Sequence, residues 1–103
     1  MALARRSNAE HVYVVTYDVA DPKRWRRVHR LMRGYGRWLQ LSVFQCRLDG
    51  GRRAELAMAL EAVIVAQEDH VLILDLGPAD DVTLAVESIG RSFAPIQRRA
   101  VVI

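Results

Sequence analysis

Cysteine occurs once, at position 46, so the chain can close no internal disulfide and build no multi-cysteine zinc centre. Long apolar runs are missing too. Nothing approaches the roughly 20 consecutive residues that a membrane helix needs, and the opening Met1-Ala-Leu-Ala-Arg-Arg-Ser-Asn has no signal-type apolar core. The expectation is a protein of the reducing cytoplasm with no membrane span. The glycines form neither a P-loop nor a dinucleotide fingerprint. His11, His29 and His70 lack metal-ligand spacing, and no strand-like segment has the aromatic-rich pattern of an RNA-recognition motif. Ser42 and Cys46 have no histidine base nearby, which leaves nucleophilic catalysis unsupported. Lysine is almost absent: fourteen of the fifteen basic residues are arginine, whose planar fork suits bidentate phosphate contacts.

What is present is distributed unevenly. Between Asp18 and Arg53 there are ten basic residues against three acidic ones. Between Ala54 and Gly90 there are eight acidic residues and no basic ones. A net charge of +3 conceals this segregation. The folded molecule should have a basic side and an acidic side, the former fitted to a polyanion.

At 103 residues and 51% apolar composition, the chain is long enough for one domain with one core. Residues 11–18 read as a buried strand ending in Asp18. Asp21-Pro22 is a helix start, with an acidic N-cap and proline at the first helical position. Trp25, Val28, Met32 and Tyr35 then form an apolar helix face. Arg26, Arg30, Arg33 and Arg37 form a separate basic stripe. Residues 37–48 alternate as one long strand, with Trp38, Gln40, Ser42, Phe44 and Cys46 sharing a face. A second helix is expected over about 52–66, a third strand over 70–76 and a weaker fourth over 82–89. The reading is an α+β, ferredoxin-like βαββαβ sandwich with an extra C-terminal strand, residues 1–10 being flexible and 91–103 a tail or strand. Both helices would cover one sheet face. The other, offered Trp38, Gln40, Ser42 and Phe44, calls for a partner, most simply a second copy.

Asp18 shares parity with Thr16 and Val14, and opposes Tyr13, Val15 and Tyr17, so it points to the uncovered face if the tyrosines lie under the helices. Two copies meeting there would bring two carboxylates together, a workable magnesium site where one carboxylate is a poor one. An acid satisfied by turn amides beside the first helix fits the residues equally well. Asp75, at the end of another strand, could assist Asp18 or simply be solvated, and His29 reads as a half-buried or surface histidine before a phosphate contact.

Tyr17-Asp18-Val19, the turn Asp21-Pro22-Lys23-Arg24 into a basic helix, Tyr35-Gly36, and Gln40-Leu41-Ser42-Val43-Phe44-Gln45 resemble one family in order and spacing. That family is the small CRISPR-associated endonuclease of the adaptation machinery, the second of its two universal proteins. The resemblance spans roughly residues 11–103. It implies a ferredoxin-like homodimer that joins the CRISPR integrase subunit in capturing and inserting spacer DNA, some members cleaving RNA or DNA with Mg2+. It assigns Asp18 the metal and the catalysis, and gives Tyr17, Arg24, Arg27 and Phe44 supporting or nucleic-acid contacts beside Arg26, Arg30, Arg33 and Arg37. Gln45 stands where the family usually has glutamate, and Trp38 where it often has arginine. The terminal Ala100-Val-Val-Ile resembles the family's last strand, which can pair with the partner subunit's sheet. The competing reading is a ferredoxin-fold ligand-binding or toxin-like RNase module unconnected with CRISPR.

Overall fold

The computed structural model describes residues 9–90. The expected flexible start lies almost wholly outside them, and the expected C-terminal strand entirely so. Four strands, β1 (His11–Asp18), β2 (Gly36–Gln40), β3 (Val43–Leu48) and β4 (His70–Pro78), and two helices, α1 (Pro22–Arg33) and α2 (Gly50–Val63), follow the order βαββαβ. The sheet order is β2-β3-β1-β4 with every neighbouring pair antiparallel, the ferredoxin-like arrangement.

Each helix starts on an aspartate. Asp21 accepts from the Arg24 amide at 2.9 Å with Pro22 behind it, and Asp49 accepts from the Arg52 amide at 2.8 Å. Because Asp49 is the cap, α2 begins two residues before the apolar spacing predicts. Arg30 and Arg33 in the last turn of α1 complement the partial negative charge of that helix end.

Tyr13, Val15 and Tyr17 of β1 and Phe44, Cys46 and Leu48 of β3 face Val28 and Met32 of α1 and Leu56 and Leu60 of α2, and together they form the buried core. Val15, Val28, Met32, Phe44 and Leu56 lose all their exposure. Full burial of such side chains contributes about 1.5–3 kcal/mol each, and it fixes which sheet face is covered.

Three expectations need correction. Residues 37–48 form a hairpin, not one strand. Apolar–polar alternation runs through the tip without a glycine or asparagine to mark it, and Leu41 itself takes the left-handed conformation at φ 34°. The tip is held from outside its own sequence by Trp25 Nε1, which donates to Ser42 Oγ at 2.8 Å, and by the Tyr17 amide, which donates to the Ser42 carbonyl at 3.1 Å. Within the hairpin, Trp38 Nε1 donates to the Leu41 carbonyl at 3.0 Å. Residues 82–89 form no strand. A turn at Pro78–Asp81 leads them away without a ladder partner, while β4 completes the sheet. Finally, Trp38 and Phe44 do share a face, being direct cross-strand partners, but it is the helix-covered one. Phe44 is 0% exposed and pairs with Val15, and Trp38 packs edge-on against His29 of α1. Ser42 is occupied by Trp25. Of the four residues expected on the bare face, only Gln40, opposite Val43, is exposed.

Among the described residues the helix-free face is uncovered, but it is differently composed. In register it carries Val14 beside Leu74, Thr16 beside Leu72, and Asp18 beside His70. Leu72, Leu74 and Leu76 are 48%, 45% and 39% exposed. Such a row of leucines on one strand is an exposed apolar patch of the kind that marks an interface.

Candidate metal and nucleic-acid site

Alternation along β1 aims Asp18 outward. Tyr17 turns into the core, where its hydroxyl meets His29 Nδ1 at 2.9 Å. His29 stacks on Trp25 with ring centroids 4.8 Å apart and has Phe44 and Trp38 at its edges. Burial pushes the Tyr17 hydroxyl well above the usual phenol range and, with the Arg33 charge, lowers His29, so both stay neutral. His29 is therefore a core histidine and not a phosphate contact.

With its neighbour anchored inward, Asp18 stands exposed on the helix-free face at the last rung of the β1–β4 ladder, opposite exposed His70. Asp75 cannot assist it. Antiparallel register puts Asp75 beside Tyr13, towards the opposite end of the strand, where it pairs with His11 Nδ1 at 2.8 Å and accepts from the Gly77 amide. The protonatable partner and the amide hold the Asp75 carboxyl below its ordinary range. Among the described residues, no three His, Cys, Asp or Glu side chains gather to hold a metal ion. Asp18 therefore stands, among the described residues, without the further ligands that a metal site on one chain would need.

The basic residues from Lys23 to Arg37 divide into three groups. Lys23, Arg26, Arg27, Arg30 and Arg33 are exposed along α1 and form no ion pair with other described residues. Arg37 lies on β2, not on the helix, and donates to Gln45 Oε1 at 2.9 Å, so the four-arginine stripe divides into three on α1 and one on the sheet. Arg24 faces inward: its Nε and Nη2 donate to Asp69 at 2.7 and 3.0 Å, and Nη2 also reaches Glu68 at 3.0 Å. This occupied fork is not a free nucleic-acid contact.

Asp69 is the residue that sequence reasoning missed. No local pattern marks it, because its main partner lies 45 positions away. The Arg24 hydrogen bonds, together with the Val65 and Ala20 amides, hold its carboxyl far below the usual carboxylate range. Cys46 is buried and its thiol pushed up to about 11, which leaves it unreactive.

The sequence profile of the family described as CRISPR associated protein Cas2 matches residues 11–83. The chain belongs to the Cas2 family. It is 66% identical over 99 residues to the CRISPR-associated endoribonuclease Cas2 1 of Rhodospirillum rubrum, covering 96% of this chain and 97% of that one. It is 53% identical over 94 residues to the CRISPR-associated endoribonuclease Cas2 of Geobacter sulfurreducens, covering 91% and 99%. Among solved structures it is similar to a Cas2 crystal structure, with TM-score 0.68 at 32% identity over 84% of this chain and 95% of the other. Streptococcus pyogenes Cas2 at pH 6.5 gives TM-score 0.61 at 28% identity, over 77% and 99%. Family membership excludes the reading unconnected with CRISPR.

Proposed function

We propose that this Cas2-family chain works in CRISPR adaptation as a nucleic-acid-binding homodimer, with Asp18 as its metal-binding and catalytic residue in phosphodiester cleavage. The observation carrying this reading is the position of Asp18: exposed, at a strand end, on the sheet face that also bears Leu72, Leu74 and Leu76.

Covering those leucines with a second copy would remove them from water, at about 25 cal/mol per Å2 of apolar surface. The same two-fold contact would bring the Asp18 carboxylates of both copies towards one another. Mg2+ demands close to six oxygen ligands, which the described residues of one chain do not gather. Two aspartates, water and a substrate phosphate form a suitable set. A bound Mg2+ would supply Lewis-acid stabilisation of the scissile phosphate and an activated water. The protein's own part is to hold the carboxylates rigidly and to exclude bulk water behind them with the Tyr17–His29–Phe44 core. Lys23, Arg26, Arg27, Arg30 and Arg33 on α1 suit the sugar–phosphate backbone, and guanidinium forks without base-reading partners give binding without sequence preference. A DNA-binding dimer of this kind suits a scaffold for the CRISPR integrase subunit. The relatives' names, which specify endoribonuclease, make RNA the first substrate to assay, with DNA beside it.

The test is cleavage of single- and double-stranded RNA and DNA by wild type and Asp18→Asn, with Mg2+ or Mn2+ and with chelator. Metal-dependent cleavage lost in the variant is expected. Wild type inactive on every substrate would leave the nucleic-acid-binding role alone.

A further inference from the structure

The strand pairing that orients Asp18 stops at Asp18. Beyond it come Val19 and Ala20 and then the α1 cap, with no ladder to hold them. A carboxylate on the last rung of a ladder is poorly fixed, because strand ends fray. A matching carboxylate from a second copy would also push it away. Yet one buried side chain holds both sides of this rung. Asp69 Oδ1 accepts from the Ala20 amide at 2.9 Å, two residues after Asp18. The residue after Asp69 is His70, the direct cross-strand partner of Asp18. Asp69 Oδ2 accepts from the Val65 amide at 2.8 Å, closing the turn from which β4 departs.

We propose that Arg24 and Asp69 form a positioning clamp for Asp18, an inference that rests on the reading of Asp18 as the metal-binding carboxylate. The Asp69 side chain is 0% exposed and that of Arg24 17% exposed. With Ala20, Val65, and the two Arg24 nitrogens, Asp69 receives four hydrogen bonds, about the full acceptor capacity of a carboxylate. It has no oxygen left for substrate or metal. Its effect on chemistry therefore passes through the turn it holds. Arg24, whose amide is bonded to the Asp21 cap, ties the first turn of α1 to the same point. The β1–α1 turn, the start of α1 and the start of β4 thus meet on one carboxylate immediately behind Asp18. Partners hydrogen-bonded directly to a ligand typically tune metal affinity by about 10–100-fold. A clamp that acts on Asp18 through the backbone at Ala20 and His70 should fall at the lower end of that range.

Asp69→Asn is the informative substitution. All four partners are donors, so either amide orientation sets an NH2 against donors while the shape is kept. Arg24→Lys is the second variant: it keeps the charge, loses the fork, and serves if Asp69→Asn does not fold. Leu60→Ala, a core change that touches none of the clamp's hydrogen bonds, controls for general loss of stability. The readouts are amide hydrogen exchange at Asp18, Val19 and Ala20, and the broadening of their NMR signals by added Mn2+ without nucleic acid. Both clamp variants should exchange faster at these three amides and need at least about tenfold more Mn2+ for equal broadening. Leu60→Ala should match wild type in Mn2+ response. Clamp variants with wild-type exchange at these amides overturn the proposal, as does a Leu60→Ala chain that loses Mn2+ response to the same degree. A wild-type Mn2+ response no greater than that of Asp18→Asn defeats the metal reading of Asp18 separately, and exchange at the three amides then decides for or against the clamp alone.

Discussion

Tyr17 and His29 are joined by a 2.9 Å hydrogen bond inside the core, and that bond dictates where the next residue points. With the Tyr17 ring pinned between Trp25 and Phe44, strand alternation leaves Asp18 no orientation but outward. A buried member of the aromatic core and an exposed candidate acid are therefore consecutive in the chain. An exposed carboxylate gains rigidity here from an aromatic cluster that it does not touch.

Asp18→Asn should abolish metal-dependent cleavage, because an amide cannot supply the anionic ligand that a divalent cation requires. The side chain is exposed, so the free energy of unfolding should stay within about 0.5 kcal/mol of wild type. Nucleic-acid affinity measured with chelator present should also be unchanged. Cleavage surviving in the pure variant would move the active site elsewhere.

Alanine at both Arg26 and Arg30 should weaken binding to duplexes of unrelated sequence by similar factors. Each lost phosphate contact lowers the slope of log affinity against log salt by about 0.9, so the double variant should lose nearly two. Fluorescence anisotropy over a salt series checks this. Loss confined to one sequence would mean that the helix reads bases.

Leu74→Asp places a charge on the bare face. If that face is the dimer contact, light scattering should show monomer at micromolar concentration while circular dichroism stays native, since Leu74 is outside the core cluster. Phe44→Ala should behave oppositely, costing about 3–5 kcal/mol of stability through the cavity it leaves. A Leu74→Asp protein with undiminished dimer mass would refute the assignment of this face.

These contrasts trace back to what the sequence made legible. Alternation along β1 correctly separated Tyr13, Val15 and Tyr17 from Asp18, and Asp21-Pro22 marked the start of α1, because both signals are local. The family followed from the motifs these residues belong to, but the element order needs the hairpin, because a single strand over 37–48 with another over 82–89 would run β-α-β-α-β-β. The hairpin was hidden because Leu41 adopts a left-handed turn without glycine, its tip held by Trp25 and Tyr17 from other parts of the chain. Misplacing Phe44 had the same root. Parity shows that Trp38 and Phe44 share a face, but only the packing of α1 shows which face is covered. Arg24 was misread since an arginine on a basic helix looks like its neighbours until Asp69, far along the chain, claims it.

The last prediction concerns pH. Burial, reinforced by the Arg33 charge, lowers the His29 pKa in the folded protein below its ordinary 6.5. The unfolded chain consequently binds a proton more readily at this residue, and stability rises with pH where the two states differ. The contribution is fully present above about pH 6.5 and is lost as pH falls from there towards the lowered folded value. Protonation would also put charge among Trp25, Trp38 and Phe44 and leave both His29 ring nitrogens as donors, the one facing Tyr17 included. Wild type should therefore melt at progressively lower temperature between pH 7 and pH 5. His29→Gln, which keeps a polar partner for Tyr17 but does not titrate, should start from lower stability and show a flatter profile over that interval. Thermal melts followed by circular dichroism at half-unit pH steps test this, and parallel profiles for the two proteins would assign the acid sensitivity to other groups.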